Sequence, residues 1–108
     1  VQGMAQMEIG CHTDVMDGCP KAVAIPMLLR SANPQIIAVD EITQAEDLLA
    51  MEEAAHCGVR FVATIHADSE ADLHRRPLLR KLQRTQIFEK AICIQMADRL
   101  RRYRLKDL

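Results

Sequence analysis

The sequence predicts an α/β fold with a mostly parallel sheet and crossover helices, and three observations carry that prediction. Apolar, β-branched runs of strand length, Ile36–Val39 and Val59–Ile65, alternate with longer stretches of helical spacing. The Ile36–Val39 run is continuous rather than alternating, which is how a strand covered on both faces reads. Breaks containing Pro, Gly or Ser separate the segments at Ser31–Pro34, Gly58 and Asp68–Ser69. The order helix, strand, helix, strand, helix, strand calls for parallel neighbours joined by right-handed crossovers.

Taken in order, Val1–Cys19 is irregular, and Thr13–Pro20 reads as an ordered loop with a Gly-marked turn. Lys21–Arg30 spaces Val23, Met27 and Leu28 as one buried side of a helix, with Leu29 beside them. Pro26 should start a shorter helix or bend this one, because it removes a backbone donor. After Ile36–Val39, Thr43-Gln44-Ala45-Glu46 reads as a capping box with Thr43 as the cap. The helix it opens places Leu48, Met51 and Ala55 inward and ends at Gly58. Val59–Ile65 is the second strand. Ser69-Glu70-Ala71-Asp72 resembles a further cap, and Pro77 resets a basic helix whose buried side is Leu78, Leu79 and Leu82. Ile87–Gln95 is predicted as a third strand, with Ile92 and Ile94 on one face. Asp98–Leu108 alternates basic and apolar residues and reads as a hairpin edge strand, its Arg and Lys side chains blocking unwanted pairing. A basic terminal helix is the alternative.

At 108 residues the chain is one domain or a piece of one, able to bury roughly two-thirds of its unfolded surface. Its 49% apolar and 27% charged content is that of a globular protein. Aromatics are only 3%, with no Trp, which argues against a base-stacking platform for single-stranded nucleic acid. The net charge of −1 gives no global pull toward nucleic acid or anionic lipid. No signal peptide and no apolar run of bilayer length occurs, so direct membrane insertion is not expected. Cys11, Cys19, Cys57 and Cys93 lack metal-ligand spacing and read as small apolar fillers or free thiols of a reducing cytosol. Opening on Val1 rather than Met suggests an excised piece.

The chemistry concentrates at two strand ends. Asp40 and Glu41 follow the first strand, and ligands of open α/β sheets bind at such carboxyl ends. An apolar strand running into Asp-Glu has the shape of a Walker B element; the plain alternative is a core strand followed by two solvated acids. Thr64 and His66 close the second strand. Phosphoryl transfer to water needs a held metal ion, a positioned water and a donor for developing charge. Asp40 suits magnesium through water, Glu41 suits the nucleophile, and His66 suits the γ-phosphate. A lone His after a strand is more often structural.

Several segments together resemble the C-terminal half of a secretion-type ATPase core: Leu28-Leu29-Arg30, Asn33-Pro34, Ile36–Glu41, Glu46-Asp47, the Ala-rich helix to Gly58, and Ala63-Thr64-Ile65-His66-Ala67. The chain is most similar to the stage III sporulation protein AA family. That family's Arg-Thr-Asp-Val-Leu-Asp-Gly-Cys-Pro-Lys-Ala signature is echoed by His12–Ala22, and its Val-Asp-Glu-Ile-Gly by Val39–Thr43; Arg75-Arg76-Pro77 and Phe88-Glu89 are similar too. The resemblance implies part of a RecA-like P-loop NTPase sheet that uses ATP and Mg2+. It further implies a homo-oligomeric ring, cytoplasmic and peripheral to a membrane channel complex between mother cell and forespore. Asp40 and Thr64 would then bind nucleotide and metal, with Glu41, His66 and Arg30 catalytic. Arg30 matches an arginine recurrent in the wider superfamily; equally, it is an Arg near a helix C-terminus, which the helix dipole favours.

Three departures bear on that reading. His12 replaces the signature's Arg, Thr43 stands where Gly is common, and Pro26 falls in a stretch that is normally Met-rich helix. No Gly-x-x-x-x-Gly-Lys-Ser/Thr occurs in the 108 residues, so the phosphate cradle is missing. The chain is therefore expected to be the C-terminal portion (1–108) of one ATPase domain and inactive alone. Rival readings are a fragment of a type II/IV secretion or pilus ATPase, or a non-catalytic assembly module with a degenerate NTPase fold. A third is a nucleic-acid-associated relative using Arg99, Arg101, Arg102, Arg104 and Lys106 on phosphates. Losing the first strands of a parallel sheet would expose apolar edges, so self-association of the piece is expected.

Overall fold

The computed structural model describes residues 19–108. Cys11, His12 and most of the Thr13–Pro20 loop lie outside the described residues. Eight elements follow in order: α1 (Lys21–Ser31), β1 (Ile36–Val39), α2 (Ala45–His56), β2 (Arg60–Ala63), α3 (Asp72–Arg75), α4 (Pro77–Thr85), β3 (Lys90–Ala97) and β4 (Leu100–Asp107). The fold is mixed α/β, as expected, but the sheet is not one parallel array. Among the described residues β1 and β2 form a two-stranded parallel sheet, and β3 and β4 a separate antiparallel one.

The first unit is held by burial on one side of the parallel pair. Ile37 and Val39 point inward with half-buried Phe61 and Ala63 beside them. They meet Leu48, Met51 and Ala54 of α2, Ile25 of α1, and Leu79 and Leu82 of α4. Met51 and Leu79 are wholly buried. The opposite face of the same pair leaves Ile36 and Val62 about 60% exposed, so the continuous apolar run is covered on one face only among the described residues.

Local signals are shifted rather than absent. The cap of α2 is Gln44, one residue beyond Thr43, and its box partner is Asp47 rather than Glu46. Asp47 Oδ2 accepts the Gln44 N–H at 3.3 Å, which satisfies an orphan donor of the first turn and accounts for a carboxylate being buried there. Gly58 ends the turn after α2 at φ +93°, a conformation that L side chains adopt only at a cost. Ala54 rather than Ala55 completes the buried stripe. Pro26 neither starts nor divides α1, which continues to Ser31. The buried residue of α1 is Ile25, while Val23 and Met27 are exposed, a correction to the predicted face.

The largest correction concerns the C-terminal third. The predicted third parallel strand is β3, the first arm of a hairpin. Its pairing runs from Lys90↔Asp107 to Ala97↔Leu100. A two-residue turn, Asp98-Arg99, has φ of +51° and +64°. Positive φ at both central residues is the turn that matches strand twist. The hairpin is tied to the body through Glu70, which accepts from Arg104 at 2.9 Å and lies 3.8 Å from Lys106 Nζ. Cys19, Cys57 and Cys93 are free thiols.

Candidate functional site

The site grows from the register of β1 on β2. Val39 is paired with Ala63, so the next residues of each strand, Asp40 and Thr64, leave the sheet side by side. The ladder continues past the strand ends: Thr64 N–H donates to the Val39 carbonyl at 3.1 Å, and Ile42 N–H donates to the Thr64 carbonyl at 3.0 Å. Between those two bonds the chain bulges at Glu41, whose φ is +52°. A non-glycine residue in this region is uncommon and must be held there by its surroundings.

Thr64 is what holds it. Its Oγ1 accepts the Glu41 N–H at 2.8 Å, and its hydroxyl donates to Asp40 Oδ1 at 3.0 Å. One side chain thus fixes the backbone of one acid and the carboxylate of the other. Asp40 and Glu41 are exposed and lie outside any helix, which by itself also fits two solvated acids after a core strand.

His66 follows Thr64 from the same end of β2. Its carbonyl accepts from Arg76 Nη1, which ties the segment after β2 to the α3–α4 junction, and the residue is exposed. Asp40, Glu41, Thr64 and His66 therefore all issue from the carboxyl end of the parallel pair. Arg30 does not. It lies in the last turn of α1, six residues ahead of Ile36, and so belongs to the entry end of β1. Arg76 was not singled out as a site residue by sequence reasoning; only its place beside Pro77 had suggested a match.

The donor set accommodates a magnesium ion in one way only. No group of three or more His, Cys, Asp or Glu side chains that could hold a metal exists among the described residues. Mg2+ is commonly held by one or two carboxylates with waters and substrate phosphates completing its shell. The exposed Asp40 carboxylate, oriented by Thr64, fits that requirement.

The class defined so far is a mixed α/β protein with two acids at the carboxyl end of a parallel strand pair, the end at which open α/β sheets bind ligands. Family comparison is more particular. The chain belongs to the sporulation stage III protein AA family, whose model matches residues 1–104. It is 37% identical over 97 residues to the stage III sporulation protein AA of Bacillus subtilis (strain 168). That match covers 90% of this chain and 32% of the relative, so the chain spans about a third of the curated protein's length. No solved structure matches it.

Proposed function

We propose that the chain is the acid-pair portion of a nucleotide-hydrolysing domain acting in sporulation, a RecA-like ATPase whose phosphate cradle lies outside these 108 residues. The observation that carries this reading is the Thr64 bridge. It fixes Asp40 and Glu41 together at the carboxyl ends of two parallel strands. Asp40 is the residue that would hold magnesium, through water. Bound there, the ion would neutralise phosphate charge. Glu41 stands exposed on a bulge just past the strand, and it would orient and deprotonate a water. His66, exposed beyond the same end of β2, would donate toward a phosphate. Arg30, at the far end of β1, would act on a neighbouring copy in a ring rather than on its own site. Membrane channel proteins as partners, and a cytoplasmic position beside them, follow from the same proposal. Among the described residues no helix is long and apolar enough to cross a membrane.

The test compares two proteins. The 108-residue chain alone should bind Mg-ATP only weakly in calorimetric titration and release no measurable phosphate. In a full-length protein carrying this segment, Glu41→Gln should abolish turnover while nucleotide binding survives. Normal phosphate release by that variant would remove Glu41 from the catalytic role.

A further inference from the structure

Among the described residues, the β3–β4 hairpin carries an apolar face with nothing packed on it. The direct cross-strand pairs Ile92↔Leu105, Ile94↔Tyr103 and Met96↔Arg101 point to one side, bounded by Lys90↔Asp107. Ile92, Ile94, Met96, Tyr103 and Leu105 are each 62–67% exposed. Together they put on the order of 600 Å² into solvent, at the top of the range for patches on monomers. The other side of the hairpin is the one turned to the body, since Arg104 and Lys106 reach Glu70 from it. A two-stranded hairpin is marginal by itself and needs cover.

The order of rows along this face shows what fits it. From base to tip they read as an ion pair (Lys90 Nζ to Asp107 Oδ1, 2.6 Å), Ile92 with Leu105, Ile94 with Tyr103, then Met96 with Arg101. A two-fold axis perpendicular to the strands maps the first row onto the fourth and the second onto the third. Apolar rows then meet apolar rows, and Arg101 of each copy meets Asp107 of the other. A lipid surface is a poorer match, because the hairpin's outer edges would carry unpaired backbone groups into a medium without water. The area is also sufficient. Twice the exposed patch is about 1,200 Å², the lower bound of a standard interface.

We propose that this hairpin face is a self-complementary docking surface for a second copy of the chain. The two hairpins stack as a four-stranded sandwich about a two-fold axis. This contact does not depend on the nucleotide reading.

Sedimentation of the 108-residue chain over a concentration series tests it. Association should stop at the dimer. Ile94→Lys should give a monomer with unchanged far-ultraviolet circular dichroism, whereas Val62→Lys, on the exposed face of β1–β2, should leave the dimer intact. Arg101→Glu should weaken the dimer more than about tenfold by placing two acids together. The combined Arg101→Glu, Asp107→Arg chain should recover it. A chain that stays monomeric, that associates without limit, or that is dissociated by Val62→Lys and not by Ile94→Lys would overturn the proposal. So would failure of the charge-exchanged chain to recover.

Discussion

The Thr64 hydroxyl stands between two residues that are neighbours in sequence but differently held: it donates to the Asp40 carboxylate at 3.0 Å and accepts from the Glu41 amide at 2.8 Å. Among residues of that size, only Thr and the smaller, unbranched Ser carry a hydroxyl that donates and accepts at one atom. Thr64→Val keeps the shape and deletes both bonds. It should lower stability by about 1–2 kcal/mol and speed hydrogen exchange at the Glu41 amide, while Thr64→Ser should hold both near the parent values. Urea unfolding and amide exchange read the two effects. Equal exchange at Glu41 in the Val variant would show that the bulge is fixed by something else.

Glu41 occupies a left-handed conformation at φ +52°, which costs an L residue roughly 1 kcal/mol. Removing the side chain should therefore stabilise the chain: Glu41→Gly is expected to gain about 0.5–1 kcal/mol. Glu41→Val, β-branched and harder to fit at positive φ, should lose more than about 1 kcal/mol. Thermal unfolding of the two variants measures the difference. If the Gly variant is the less stable of the two, the bulge is not where the strain lies.

The Asp98-Arg99 turn has positive φ at both residues, a geometry that Asn-Gly satisfies with least strain. Replacing the pair by Asn-Gly should stabilise the hairpin by about 1 kcal/mol. The change should appear as slower amide exchange along β3 and β4, with β1 and β2 untouched. An unchanged hairpin would mean that the turn is not its weakest link.

The meeting of the two strand ends was more legible in the sequence than the rest of the sheet was. A run of apolar residues ending in Asp40-Glu41, a helix stopped by Gly58, and a second run ending at Thr64 are enough to bring two strand tips together. Parallel pairing follows from the helix between them. What one sequence does not show is how a side chain divides its bonds. Thr64 could be expected near a ligand, but its clasp on both acids depends on the bulge at Glu41. Nothing in the Asp-Glu-Ile-Thr wording signals that bulge. The hairpin at Asp98–Leu108 was legible, but the strand before it was assigned to the parallel sheet for a different reason. Ile92 and Ile94 mark one face of a strand correctly, yet alternation says nothing about what lies opposite that face. The turn that joins β3 to β4 lacks the Gly or Asn by which such turns are recognised. The shift of the α2 cap from Thr43 to Gln44 is a contest between two adjacent polar residues. Asp47, being buried, settled it by answering Gln44 rather than Thr43.

The parallel pair β1–β2 has one side against the helices and the other carrying Ile36 and Val62 into solvent. A lamina one strand-pair wide, greasy on both surfaces, gains only half of its possible burial from the helices beneath it. Its melting should therefore respond to whatever is laid across Ile36 and Val62 almost as strongly as to a change in the packed interior. For this chain, anything that covers those two side chains should raise its resistance to unfolding.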